Sequence, residues 1–442
     1  MRFINAATAS IVIAAGITTT IVASAQSTAE IIETSTLPTI LLSDLLNETL
    51  GPGTVADGRG IPLGGIGSDL FHNRASDAPN EFWMMADRGP NVTLENGDTE
   101  QLTFPLPEYT PIIVHLKAED GTLTLLDAVA IHGASGEGIT GFSNNPDRDP
   151  VPYTYLAEST LPYNVNGMDT EGLVRMPDGT FRVTDEYAPS IAKVAADGEV
   201  LVRWVPKGWT LSGTDYPVEQ TLPEVLLNRR NNRGWESLGV TPDGSLLFTS
   251  IEAPLANPDT DTAKASRNGR IFAVNPETGV PSAEYVYVYE DGPTFDATGE
   301  IAQADLKVTA VNPLDADTLL VVERSDAVAK LFLVELGSAT DILGTAWDQL
   351  ATSPTLEQTT DLAAAEIIPA EKTLLLEFNS LGEMPAKIEG MTVIDPTTIA
   401  VANDNDFDIT DQTSFDADGQ FQGTGRVTEV IEIRLPEPLP IP

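Results

Sequence analysis

The stretch NGMDTEGLVRMPDGTFRVTDEYAP, Asn166 to Pro189, carries two acidic pairs, Asp169/Glu171 and Asp185/Glu186, around two short apolar runs. Pro177-Asp178-Gly179 lies between the runs, and an Asp-Gly turn between apolar segments is a strong hairpin signal. In a hairpin the start of the first strand and the end of the second meet at one edge of the sheet. The two acidic pairs are therefore expected side by side, with the turn at the far end.

The pattern recurs. Gly234-Trp235-Glu236-Ser237-Leu238, Thr241-Pro242-Asp243-Gly244 and Leu246 to Glu252 repeat it ahead of Ala253-Pro254. Lys387 to Ile409, KIEGMTVIDPTTIAVANDNDFDI, is a third copy. Asp305 to Ala327 is a weaker fourth, and Gly64 to Asn91 a fifth with a longer connection. A second hairpin follows several copies, as in SIAKVAADGEVLVRWVP after Pro189 and PIIVHLKAEDGTLTLLDAVAI after the Gly64 copy. Each unit reads as four strands, and such units repeated several times pack radially as a β-propeller. The spacing exceeds the roughly 40–50 residues usual for a blade, which insertions explain. A pair of β-sandwiches is the alternative, but sandwiches need no repeat. Five units are visible and six blades are favoured. The extra strands would come from poorly matched segments, or from Ile40-Leu41-Leu42 joining the C-terminal strand. Short helices are expected within Leu222–Asn228 and Asp361–Ile368.

Met1-Arg2-Phe3, the apolar Ile11–Ala15 and the small residues Ala23-Ser24-Ala25 read as a secretory leader, residues 1–25, cleaved after Ala25. Gly16 and Thr18-Thr19-Thr20 interrupt it, which argues against a membrane anchor. The propeller is expected over residues 38–435 and a loose tail over 436–442. There is no cysteine, so an exported chain of this kind must be held by its core and by ions. Asp and Glu number 66 against 24 Lys and Arg, a formal charge of −42. Nucleic acid and anionic membrane surfaces are thereby excluded as partners. A periplasmic or extracellular monomer acting on a small molecule is the expectation. The three histidines show no zinc-binding spacing.

In a propeller the first strand of each blade lines the central channel. Glu171, Glu236 and Glu389 occupy matching first-strand positions, with Ser68 and Lys307 in the other two copies. The second strands end in Asp87, Asp185/Glu186, Glu252, Glu323 and Asp404/Asp406. So many carboxylates around one axis repel strongly unless hard cations or basic side chains neutralise them. Calcium suits an all-oxygen ligand set best, and magnesium second. The expected ligands are Asp169, Glu171, Asp185, Glu186, Glu236, Glu252, Glu389, Asp404 and Asp406. Arg88, Arg233, Arg324 and Lys387 sit beside the acidic positions, and guanidinium with metal is the equipment of a phosphate-ester site. Ion pairs that merely join blades are the competing explanation. On the phosphoesterase reading Glu171, Glu236, Glu389, Arg233 and Lys387 carry the chemistry, with metal-activated water as the nucleophile. Arg88, Arg324 and Tyr187 contact substrate.

Other motifs fail. Asp404–Phe415 begins like a calcium-binding EF-hand loop, but has Ile409 and Phe415 where Gly and Glu are required. GASGE at Gly133–Glu137 lacks the second Gly of a nucleophile elbow.

GMDTEGL, TDEYAPSI, LPEVLLNRRNNRGWESL, LLVVERSD, KIEGM and VANDNDF, in this order, resemble the bacterial phytase-like proteins described by esterase-like activity of phytase. The resemblance covers Ile61 to Leu435. It implies an exported β-propeller and, through the calcium-dependent propeller phytases, a phosphoesterase-like activity. Ser237, where the family pattern has Gly, and Tyr187, where the second copy has Glu252, depart from it. Two other readings stay open: a non-catalytic binding propeller with structural calcium, and a metal-dependent carboxylic-ester or lactone hydrolase.

Overall fold

The alternating apolar residues between Asp-Gly turns form antiparallel hairpins. A computed structural model describes residues 28–96, 99–350 and 352–441; the secretory leader read at residues 1–25 lies outside them. At the opening stretch, Thr170–Arg175 pairs with Phe181–Asp185, and Gly179 takes the positive φ of +86° that the turn demands. Thr170 faces Asp185 across the pair, so the two acidic pairs do meet at one edge.

The hairpins assemble into five four-stranded units. Blade I consists of Asp69–Phe71, Glu81–Met85, Ile112–Glu119 and Thr122–Ala130. Blade II is Thr170–Arg175, Phe181–Asp185, Ser190–Val194 and Val200–Pro206, with Val218–Leu222 added in parallel at its outer edge. Blade III is Gly239–Val240, Leu247–Ser250, Asn268–Val274 and Pro281–Val288; blade IV is Lys307–Pro313, Thr318–Arg324, Ala329–Glu335 and Glu371–Glu377. Blade V takes Ile388–Asp395, Thr398–Asn403 and Glu429–Arg434 from one end of the chain and Glu30–Thr36 from the other. The innermost strands touch in a circuit, I to II to III to IV to V and back to I. The fold is a β-propeller.

Three expectations are corrected here. Among the described residues the inner strands close a circuit with five units, and the one further sheet, of three strands, supplies no inner strand to it, so the favoured sixth blade is not found. Leu42–Leu50 is a helix rather than a strand, because Leu42, Leu45 and Leu46 recur at helical spacing and bury one face; the strand that completes blade V lies earlier, at Glu30–Thr36. The tail is not loose throughout, since Leu439 is buried and its N–H donates to Pro396 O. Of the two expected helices, Glu224–Asn228 forms a 3-10 turn, and Asp361–Ile368 contains turns but no helix.

The core lies between sheets. Leu173, Val183, Trp235 and Phe272 pack between blades II and III, and Leu320, Val322, Val401 and Ile431 between IV and V. Second strands end, and inner strands begin, at one mouth of the ring. Most long insertions also leave from this mouth, the exception being residues 336–370 between the third and fourth strands of blade IV, and Val92–Asn96 with Thr99–Phe104 and Tyr153–Thr154 builds a three-stranded flap beside it.

Candidate metal centre and its counter-charges

Two groups of carboxylates stand at this mouth. Asp169, Glu171 and Glu186 each place an oxygen within 4.8 Å of the others, and so do Glu186, Glu236 and Glu252; all five are buried. Glu186 belongs to both groups. Backbone geometry sets this up. The Glu186 N–H donates to Asp169 O at 2.8 Å, and the Glu252 N–H to Gly234 O at 2.9 Å. Gly234 allows blade III to abut blade II, because a Cβ there would lie 2.1 Å from the Glu186 carbonyl oxygen.

The counter-charges are uneven. Arg88 reaches Asp169 at 3.0 Å and Glu186 at 3.8 Å. Arg233 and Lys307 each lie 3.2 Å from Glu252, and Arg324 pairs with Glu389. Among the described residues no side chain or N–H donates to the Glu171 carboxylate, or to that of Glu236. Burial raises the pKa of Glu171 well above the ordinary value, and Glu236, Asp169 and Glu186 push it further. Glu236 is raised well above by burial and then by Glu252, Glu389 and Glu186, against a smaller pull from Lys307. Burial pushes Glu252 the same way, but Arg233, Lys307 and Arg324 outweigh it and hold that carboxyl below its usual value.

The remaining expected residues sort as follows. Asp185 points away from both groups. It pairs with buried Arg203, accepts from Ser190 Oγ at 3.1 Å and holds the Asp169 N–H at 2.8 Å, so it positions the loop that carries the cluster. Asp404 and Asp406 gather around Lys387 on blade V, Asp404 at 3.7 Å, outside both groups. Burial and then Asp404 raise Asp406 to about 6, and burial, then Asp404, raise nearby Asp87 to about 8. Glu389 serves Arg324. Tyr187 is buried, its hydroxyl donating to Gly141 O at 2.7 Å and its ring beside the Arg88 guanidinium. Glu323 is satisfied at the seam of blades III and IV, by Tyr287 and the Glu290 N–H from the blade III side and by Lys372 of blade IV. Asp408, in the calcium-loop lookalike, accepts three backbone N–H groups, from Thr424, Gly425 and Arg426. Neither group includes a histidine.

Sequence reasoning passed over Lys307 as a counter-ion, although it had been aligned with the acidic positions. It also passed over Arg203, Arg229 and Asp149. Arg229 is buried and ties Asp149 to the Tyr187 carbonyl. Its signal was the run of arginines in NRRNNR.

The donor chemistry fits a hard cation. The set is all oxygen, three carboxylates meet, and one of them has no donor. Ligands on opposite sides of a calcium ion at about 2.4 Å lie about 4.8 Å apart, so the spacing suits a shared ion.

The fold and site define a β-propeller with an acidic, arginine-flanked mouth. Residues 61–407 match the phytase-like family, described as esterase-like activity of phytase, and the chain belongs to that family. A protein of Arthroderma benhamiae described as an uncharacterized secreted protein is 27% identical over 283 residues. That match spans 55% of this chain and 55% of the relative, about half the length of each. Among solved structures, a luciferin-regenerating enzyme aligns over 84% of this chain and 92% of its own at 8% identity and a TM-score of 0.35. Hydrazine synthase of Kuenenia stuttgartiensis aligns over 78% of each chain at 12% identity and a TM-score of 0.31. The Dos1 propeller covers 82% of this chain and 67% of its own at 9% identity and 0.26. Among the described residues no helix is long and apolar enough to cross a membrane.

Proposed function

We propose that the protein is an exported phosphomonoesterase whose mouth holds a hard divalent cation, calcium first and magnesium second. The carrying observation is the meeting of buried Asp169, Glu171 and Glu186 beside Arg88, with no donor to Glu171 among the described residues. Export is supported by the leader-like N-terminus and by the secreted relative.

Asp169, Glu171 and Glu186 would hold the ion. A cation there supplies positive charge for phosphoryl oxygens and acidifies water. Arg88 and Arg233 flank the cluster and present N–H donors that match phosphoryl oxygens. Glu236 keeps a proton above the ordinary carboxylate range and can pass it to the departing alkoxide oxygen. Tyr187 and Arg229 fix the wall on which Arg88 rests.

The test is turnover of p-nitrophenyl phosphate with calcium, with magnesium and with chelator, and of p-nitrophenyl acetate in parallel. Calcium-dependent release from the phosphate alone supports the reading. Release from the acetate alone moves it to a carboxylic-ester hydrolase. No turnover with any ion, but a chelator-sensitive melting temperature, leaves a binding propeller with structural calcium.

A further inference from the structure

Beside the acidic mouth lies a cleft of about 640 Å³, inside the roughly 300–1,000 Å³ that small-molecule sites span. It runs between the three-stranded flap and the loops that follow blades I and II. Arg88 and Tyr187 form its inner wall. Arg88 therefore touches the ion cluster on one side and the cleft on the other.

The remaining lining describes a ligand. Asn91, Asn231 and Asn232 bring amide groups, and Leu102, Pro150 and Pro152 an apolar floor. Of the charged side chains, Arg88 is engaged by Asp169 and Glu186, and Asp149 by Arg229. That leaves Arg148 and Glu100, one charge of each sign. Amides over an apolar floor, with balanced charge, suit a neutral hydroxyl-bearing group. They do not suit further phosphates. Inositol hexakisphosphate carries on the order of ten negative charges, at about −1.5 to −2 per phosphate. Neither this cleft nor a chain of net charge −42 offsets that number.

Resting on the phosphomonoesterase reading, we infer that the cleft holds the organic part of the ester, and that the preferred substrates are monophosphates of neutral, polyhydroxylated molecules such as sugars. Thr93 lines the cleft from the flap and is exposed, and it adjoins neither of the two carboxylate groups in sequence. Thr93→Trp should fill the cleft without touching the ion site.

The experiment measures kcat/KM, with saturating calcium, for glucose 6-phosphate, methyl phosphate and inositol hexakisphosphate. The expected result is a preference for glucose 6-phosphate over the hexakisphosphate of about tenfold or more. Thr93→Trp should cut kcat/KM for glucose 6-phosphate by about tenfold and leave methyl phosphate, whose methyl group is too short to reach across the cleft, within about twofold. Preference for the hexakisphosphate, or equal losses on both small esters in a variant with unchanged melting temperature, overturns the inference. If no ester is turned over, the hydrolase reading fails and the cleft is judged by calorimetry. Glucose 6-phosphate binding that Thr93→Trp abolishes supports it, and no binding to the wild-type protein sinks it.

Discussion

The two carboxylate groups share Glu186 and little else. On the blade II side, Glu171 sits among Glu236, Asp169 and Glu186, and among the described residues no donor reaches it and Arg88 is the one cation paired with the group. On the blade III and IV side, Glu252 is ringed by Arg233, Lys307 and Arg324. Both sides are buried, but the second is offset more fully from within the chain. An acidic ring can thus be neutralised by basic side chains along one arc and left open along another. The open arc is where an ion has something to contribute.

That contrast can be broken by substitution. The largest effect is expected from Glu252→Gln, which strands Arg233 and Lys307 in a buried site. It should destabilise the fold by about 3–5 kcal/mol, equally with and without calcium, in urea unfolding. Gly234→Ala follows. Its Cβ would press on the Glu186 carbonyl, costing about 1–3 kcal/mol and weakening calcium binding by calorimetry, because Glu186 shifts with it. Glu171→Gln should separate the two arcs most cleanly. Calcium affinity should fall about tenfold or more. The melting temperature should fall with calcium present and rise in chelator, since a buried, unpaired carboxyl is gone. A fall under both conditions would make Glu171 an ordinary structural acid.

The smallest effect is on pH dependence. Glu171 and Glu236 hold their protons more tightly in the calcium-free fold than in the unfolded chain. Between the ordinary glutamate value and the raised values, the fold therefore binds more protons than the unfolded state, and calcium-free stability falls as pH rises. Asp87, raised to about 8, extends the window to that pH. Calcium competes with the same protons, so its affinity should grow over this interval. Melting curves with and without calcium should diverge increasingly as pH rises above about 4.5.

The hairpin logic was legible because turn chemistry and side-chain period are local, and Asp169, Glu171 and Glu186 meet as the opening stretch implies. Asp185 was not separable from Glu186. Adjacent residues at a strand end face opposite ways, and the partner that claims Asp185, Arg203, is two strands away. Lys307 stood in the alignment, but only packing shows that its ammonium reaches Glu252. The cleft was beyond reach, since Thr93, Arg148 and Asn231 come from three insertions that the ring alone brings together. EIIETST escaped notice because a strand that borrows its blade from the far end of the chain repeats nothing around it.

That borrowed strand also sets an order of events. Glu30 pairs with Arg434, 404 positions along the chain, and the contacts between Glu30–Thr36 and Glu429–Arg434 form the seam of the ring. Contacts this distant in sequence are slow to form. A ribosome must release nearly the whole polypeptide before the seam can shut. Until then Glu30–Thr36 is left without its partner, and the circle stays open. In any chain that crosses a membrane as an extended thread such delay is an advantage, because the first strand waits for the last.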